Sequence, residues 1–139
     1  MLSITEVKGL GDETKEDCLF LNIWTPFKED GQNNKTAKKT GRPVLVFIHG
    51  GIFQFGGIGS PELDPSVLVA EKDIIVITMQ YRLGVFGFGS SVANEKNENF
   101  RSLGLQDQAK ALEWIQKYIK SFGGDPNQVT VVGHGAGMF

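Results

Sequence analysis

At 139 residues, 40% hydrophobic and 22% charged, the chain has the make-up of ordinary globular material that can bury one small core, and nothing in the bulk numbers demands disorder. Its 14 basic and 16 acidic residues give a formal net charge of −2 and are scattered along the sequence, so nothing supports binding to nucleic acid or to an anionic membrane surface. The longest apolar runs, Val44 to Ile48 and Ile74 to Ile77, fall far short of the ~20 residues a transmembrane helix needs, and no transmembrane segment is expected.

The opening Met1-Leu2-Ser3-Ile4-Thr5-Glu6-Val7-Lys8 lacks a basic region followed by an apolar one and a small-residue cleavage site. The expectation is either a cytosolic protein or a chain whose natural start lies further upstream. Cys18 is the one cysteine, which rules out an internal disulfide and a multi-thiolate metal site; no metal and no cofactor are expected. Its thiol reads either as a small buried apolar group or as one half of a pair whose partner lies outside these residues. Asn34-Lys35-Thr36 matches a glycosylation sequon in a polar stretch, a pattern short enough to arise by chance.

In chain order, Cys18 to Trp24 alternates imperfectly and is closed by Pro26, which predicts a strand near a sheet edge. Lys28 to Arg42 has no hydrophobic period, and its lysines are interleaved with Asp, Asn and Gln; a solvated loop is expected rather than a basic patch. Val44 to Ile48 is continuously apolar, the pattern of a strand covered on both faces, and runs into His49-Gly50-Gly51. Asp64 offers a helix N-cap with Pro65 at the first helical position, opening a short helix through about Ala70. Ile74 to Met79 is a second covered strand. Leu105, Ala109, Leu112, Ile115 and Ile119 recur at helical spacing, with Glu113 and Lys117 one turn apart on another face and Gly123-Gly124 as the stop. Val129 to Val132 is a third strand, ending in Gly133-His134-Gly135-Ala136-Gly137.

This alternation predicts an α/β fold, a mostly parallel central sheet built from right-handed crossovers, with chemistry beyond the carboxyl ends of its strands, where both glycine clusters lie. A dinucleotide site at the second cluster fails on spacing: G-x-G-x-x-G would need glycine at Met138, and the acidic ribose ligand would fall beyond Phe139.

Several blocks, in order, carry a resemblance. Glu16-Asp17-Cys18-Leu19-Phe20-Leu21-Asn22-Ile23-Trp24-Thr25-Pro26 resembles one signature of the type-B carboxylesterases and cholinesterases, with Phe20 where that family more often has Tyr or Thr. The run from Phe122 to Gly137 resembles the other with one mismatch, and Phe47 to Gly51, Tyr81 to Phe88 and Gly104 to Gln108 resemble the blocks between. The resemblance implies the N-terminal part of an α/β-hydrolase domain over residues 1–139, breaking off just after the strand of the nucleophile elbow. In that elbow, G-x-S-x-G, a serine stands on a strained strand-to-helix turn; here Gly133, His134, Ala136 and Gly137 frame a glycine, Gly135. Glycine keeps the permissive backbone and removes the reacting atom, so no catalytic residue is assigned. The family's acid and histidine come later in the chain than Phe139. Ser102, Ser121 and Cys18 belong to other elements, and His49 and His134 are expected in structural roles.

By the same resemblance, the oxyanion-hole positions are Gly51, Ile52 and Ala136, through their backbone N–H groups. Ile52 departs from the small residue usual there, and a β-branched side chain would crowd the acyl site and resist unusual backbone angles. Arg82 and Asp107 match positions of a buried ion pair; Cys18 and Glu16 match positions whose partners, a cysteine and an arginine, lie upstream of Met1, which implies a missing N-terminus. Two readings stay open. One is part of a non-catalytic cholinesterase-like protein, similar to the neuroligin and glutactin type of adhesion ectodomain, where glycine also occupies the serine position and the fold serves as a binding surface for a protein partner. The other is a secreted carboxylic ester hydrolase acting on small esters, with Gly135 a recent inactivation or sequence error.

Overall fold

The β-branched runs make the strands of the computed structural model, which describes residues 16–26, 41–89 and 102–138. In chain order these strands are β1 (Leu21–Trp24), β2 (Arg42–Ile48), β3 (Ile75–Met79) and β4 (Gly124–Gly133). They form one sheet in the order β1-β3-β2-β4. β2 runs parallel to both β3 and β4, while β1 runs antiparallel to β3 with Leu21 opposite Met79. The sheet is thus parallel at its centre, and among the described residues the short strand ahead of Pro26 pairs on one side only.

All of β3 is buried, as its unbroken apolar run predicts. Alternation sends Val44, Val46 and Ile48 of β2 and Ile75, Ile77 and Met79 of β3 to one face, where they form a single core with Tyr81, Ile115 and Ile119. Burying each of these aliphatic side chains stabilises the fold by about 1.5–3 kcal/mol, which makes this face the main support of the domain.

Among the described residues there are three α-helices, α1 (Ser66–Lys72), α2 (Gly84–Phe88) and α3 (Leu103–Tyr118), with α2 packed on α3 and α3 adding Ile115 to the core. The first helix begins one residue later than the sequence predicts, with Pro65 at the N-cap. Asp64 still serves the helix start, its Oδ1 accepting the Ser66 N–H at 2.9 Å and the Ser66 hydroxyl. Periodicity does not signal α2, because its two glycines disfavour a helix.

In α3 the buried face differs from the predicted one. Leu105 and Ala109 are exposed, and the first half of the face is instead Gly104, Asp107 and Gln108, continuing to Ile115. The reason is close approach. A Cβ on Gly104 would stand 2.5 Å from the Phe88 ring and 2.6 Å from the Arg82 carbonyl oxygen, so the helix packs through a glycine and then through Asp107 bonded to Arg82. A tight turn, Ile119–Phe122, follows, and Gly123 ends it at φ +88°.

Two boundaries are also corrected. Arg42, expected in a loop, opens β2, and its Nε donates to Asp73 Oδ1 at 2.9 Å beyond α1. The other residues of that expected loop, and the sequon at Asn34, lie outside the described residues. β4 begins at Gly124 rather than Val129, but the ladder is irregular there: Arg42 faces Gly124 and Val44 already faces Val129. The intervening stretch holds Pro126 and a local turn in which Asp125 Oδ1 accepts the Asn127 N–H at 2.9 Å.

Among the described residues β4 pairs on one side only, and Val131 and Val132 are 46% and 39% exposed. An apolar unpaired edge is a template for another chain. The 139-residue polypeptide is therefore expected to self-associate in sedimentation velocity, and Val131→Lys to reduce the associated fraction. A monomer that melts cooperatively would contradict this.

Candidate functional site

Because Ile48 lies opposite Gly133 in the parallel ladder, the segments that follow β2 and β4 leave the sheet side by side at its carboxyl end. They touch through backbone. The His134 N–H donates to the Ile48 carbonyl at 3.3 Å, and the Gly137 N–H closes the turn on the His134 carbonyl at 3.0 Å. Side chains are excluded from this contact. A Cβ on Gly133 would stand 2.0 Å from the Gly137 carbonyl oxygen, one on Gly137 2.2 Å from that of Ile48, and one on Gly50 2.4 Å from that of His134. Carbon and oxygen that are not bonded do not approach so closely, so these positions require glycine.

Gly135 is different. Its φ is +55°, the left-handed conformation of a strained turn, yet a Cβ built there meets none of the described residues within 4 Å. The turn presents residue 135 to open space, with Ala136 buried behind it. A side chain would fit, and none is present.

On the neighbouring segment, Gly51 takes φ +129° and its carbonyl accepts the N–H groups of Gln54 and Phe55 at 2.9 and 3.1 Å. Ile52 and Phe53 follow at φ +55° and +60°. A β-branched residue in the left-handed region is an outlier that costs on the order of 1–3 kcal/mol unless its surroundings impose it. Ile52 is 71% exposed, so burial does not offset that cost. Part of the holding force comes from Phe53, whose carbonyl accepts the Gly84 N–H at 2.6 Å and whose ring packs on Phe88 at 4.5 Å.

His49 sits where β2 ends and is only 4% exposed. Its Nδ1 lies 2.9 Å from the Gly50 carbonyl, which can only accept, so Nδ1 carries the proton. The ring stacks on Tyr81 at 4.6 Å, and the Tyr81 hydroxyl donates to the His49 carbonyl at 2.7 Å. Burial holds the His49 pKa below the ordinary imidazole value, partly opposed by the bond to Gly50. Its Nε2 is buried without a partner, and the ring does not come within 4 Å of the Cβ position of Gly135. His134 is exposed. Sequence patterning assigns no role to Tyr81, since an aromatic after an apolar strand reads as core.

Arg82 and Asp107 meet in a fork: Nε to Oδ2 and Nη2 to Oδ1, both 2.8 Å, with the Arg82 backbone N–H also on Oδ2 at 3.1 Å. The carboxylate is 6% exposed and the guanidinium side 36%, so only half of the pair is buried. The bond to Asp107, and less strongly its charge, raise the Arg82 pKa against the opposing effect of burial. Cys18 is half-buried with a free thiol and lies just ahead of β1. Among the described residues, no group of three or more His, Cys, Asp or Glu could hold a metal ion, and no helix is long and apolar enough to cross a membrane.

A family model described as the carboxylesterase family matches residues 2–139. The chain is 44% identical over 137 residues to para-nitrobenzyl esterase of Bacillus subtilis, covering 98% of this chain and 25% of that protein. It is 47% identical over 122 residues to the neuroligin-like protein glit-1 of Caenorhabditis elegans, covering 88% of this chain and 15% of that protein. A solved PNB esterase superposes with a TM-score of 0.78 at 40% identity, covering 96% of this chain and 26% of the esterase chain. The fold is therefore part of an α/β-hydrolase fold, and the chain spans about a quarter or less of these relatives.

The glycines separate cleanly by experiment. Gly135→Ala should cost only the left-handed backbone penalty of about 1–2 kcal/mol in urea unfolding. Gly133→Ala and Gly137→Ala should cost more, by about 1–3 kcal/mol of forced displacement. Equal costs at all three positions would contradict the geometry. Ile52→Gly should stabilise by about 1 kcal/mol through relief of strain, read from the same unfolding curves.

Proposed function

The chain belongs to the carboxylesterase family, and on that premise we propose that residues 1–139 are the N-terminal part of a non-catalytic member of it. The observation that supports this reading is Gly135: the left-handed turn and the open space in front of it match a nucleophile elbow, and the residue there has no hydroxyl. Acyl transfer by this family's chemistry needs a nucleophile with a base to activate it. His49 is unsuited to that work, being buried, neutral and committed to Gly50.

The backbone N–H groups of Gly51, Ile52 and Ala136 fill the oxyanion-hole positions by resemblance, and Ile52 puts a β-branched residue in the left-handed region there. A site without a nucleophile suits a binding surface better than turnover. The neuroligin-like relative supports a protein partner as the ligand, and the family resemblance supports an extracellular or secretory-pathway setting with no cofactor.

One observation favours a second reading, an ester hydrolase lineage in which Gly135 is a recent change or a sequence error: a serine side chain would meet no obstacle at 135. On that reading small carboxylic esters are the substrates, as the name of the para-nitrobenzyl esterase suggests for that relative.

Turnover of a chromogenic butyrate ester separates the two. The 139-residue chain should release chromophore no faster than buffer, and Gly135→Ser in this chain should change nothing. The same substitution in a longer version carrying a downstream acid and histidine should stay inactive on the first reading and gain turnover on the second. Hydrolysis by the unaltered chain would contradict both.

A further inference from the structure

His49 is a buried titratable group that the site does not use for chemistry, and it holds the glycine loop. Its ring lies under that loop: a Cβ on Gly56 would stand 2.7 Å from His49 Nδ1 and 2.4 Å from the Gly50 carbonyl oxygen. The imidazole thus fills the turn of chain from Gly50 to Gly56. Its Nδ1–H is spent on Gly50, and its carbonyl and ring are both held by Tyr81. Only Nε2 is left, a lone pair buried without a partner among the described residues. Such a site accepts the neutral ring and rejects the cation, which would carry an unmet N–H into a place that excludes water.

We infer that His49 is an acid-sensitive pin: protonation of Nε2 expels the ring and releases residues 50–56 from their packing beside the elbow before the sheet itself unfolds.

Among the described residues, no group nearby rescues the cation. The titratable neighbours on the adjoining segments are Tyr81, whose hydroxyl burial keeps neutral, and His134, whose Nδ1 lies 3.1 Å from the Cβ position of Gly50. Arg82, next along from Tyr81, occupies both carboxylate oxygens of Asp107. The sign follows from burial. The folded-state pKa of His49 is lowered, so the closed loop is fully favoured above the ordinary imidazole value of about 6.5 and loses that advantage as pH falls through the folded value. The strands carry no such group, so loop and sheet respond differently. The inference goes beyond the reading of Gly135 and holds whether or not the lineage hydrolyses esters.

Hydrogen exchange followed by mass spectrometry tests it on the whole chain at pH 7.5 and 5.0, corrected for intrinsic exchange rates. Peptides covering 49–57 should lose protection on the order of ten-fold at the lower pH relative to peptides from β2 and β3. His49→Asn, which keeps a donor for Gly50 but cannot titrate here, should abolish the difference. Equal change in loop and strands, or the same loop response in His49→Asn, would overturn the pin. Should that variant not fold, nitrogen NMR of the unaltered protein decides. A neutral ring protonated on Nδ1, titrating below 6.5 together with the loop amides, supports the inference; an ordinary titration with unmoved loop amides overturns it.

Discussion

Two parallel strands in fixed register impose the geometry on which the site depends. With Ile48 opposite Gly133, the chain leaving β2 and the chain leaving β4 must pass each other within backbone contact. That contact is possible only if Gly50, Gly133 and Gly137 carry no side chain, since each Cβ would fall inside a carbonyl oxygen of the other segment or of its own turn. The core behind them, Val44, Val46 and Ile48 against Ile75, Ile77 and Met79, keeps the register by burying one face; a slip of one residue would turn that apolar set outward. Packing thus holds the glycine loop after β2 and the turn after β4 in place, and any chemistry would be added to them.

Scaffold and reactive atom are separable in such an arrangement. The Arg82–Asp107 fork and the His49–Tyr81 stack depend on nothing at position 135. Likewise, the left-handed turn at Gly135 is satisfied by glycine at no steric cost. A protein can therefore lose the nucleophile without losing the fold, and the surface at the carboxyl end of the sheet stays available for another ligand. Ile52 carries a left-handed backbone strain that its exposed side chain does not offset.

Much of this was legible because strands covered on both faces announce themselves. Val44–Ile48 and Ile75–Met79 could hardly be misread, and the blocks around them carried the family. What escaped was packing through small or polar groups. Leu105 and Ala109 fit the helical period but face outward, because Gly104 lets α3 approach Phe88 and Asp107 turns inward to Arg82. No hydrophobic pattern encodes a glycine contact or an ion pair. The helix at Gly84–Phe88 was hidden for a related reason: it is held by Phe53 and its neighbours rather than by its own propensity. At the site, the strain at position 52 was foreseeable from a β-branched residue following two glycines, whereas the role of Tyr81 as the clamp on His49 needed the spatial arrangement.

The account rests on the absence of an attacking oxygen at residue 135. Intact-mass measurement after exposure to an excess of an organophosphonate probe, followed by peptide mapping, tests that claim most directly. An unchanged mass for the segment from Gly133 to Gly137 is the predicted result; a stoichiometric covalent adduct on this polypeptide would contradict it.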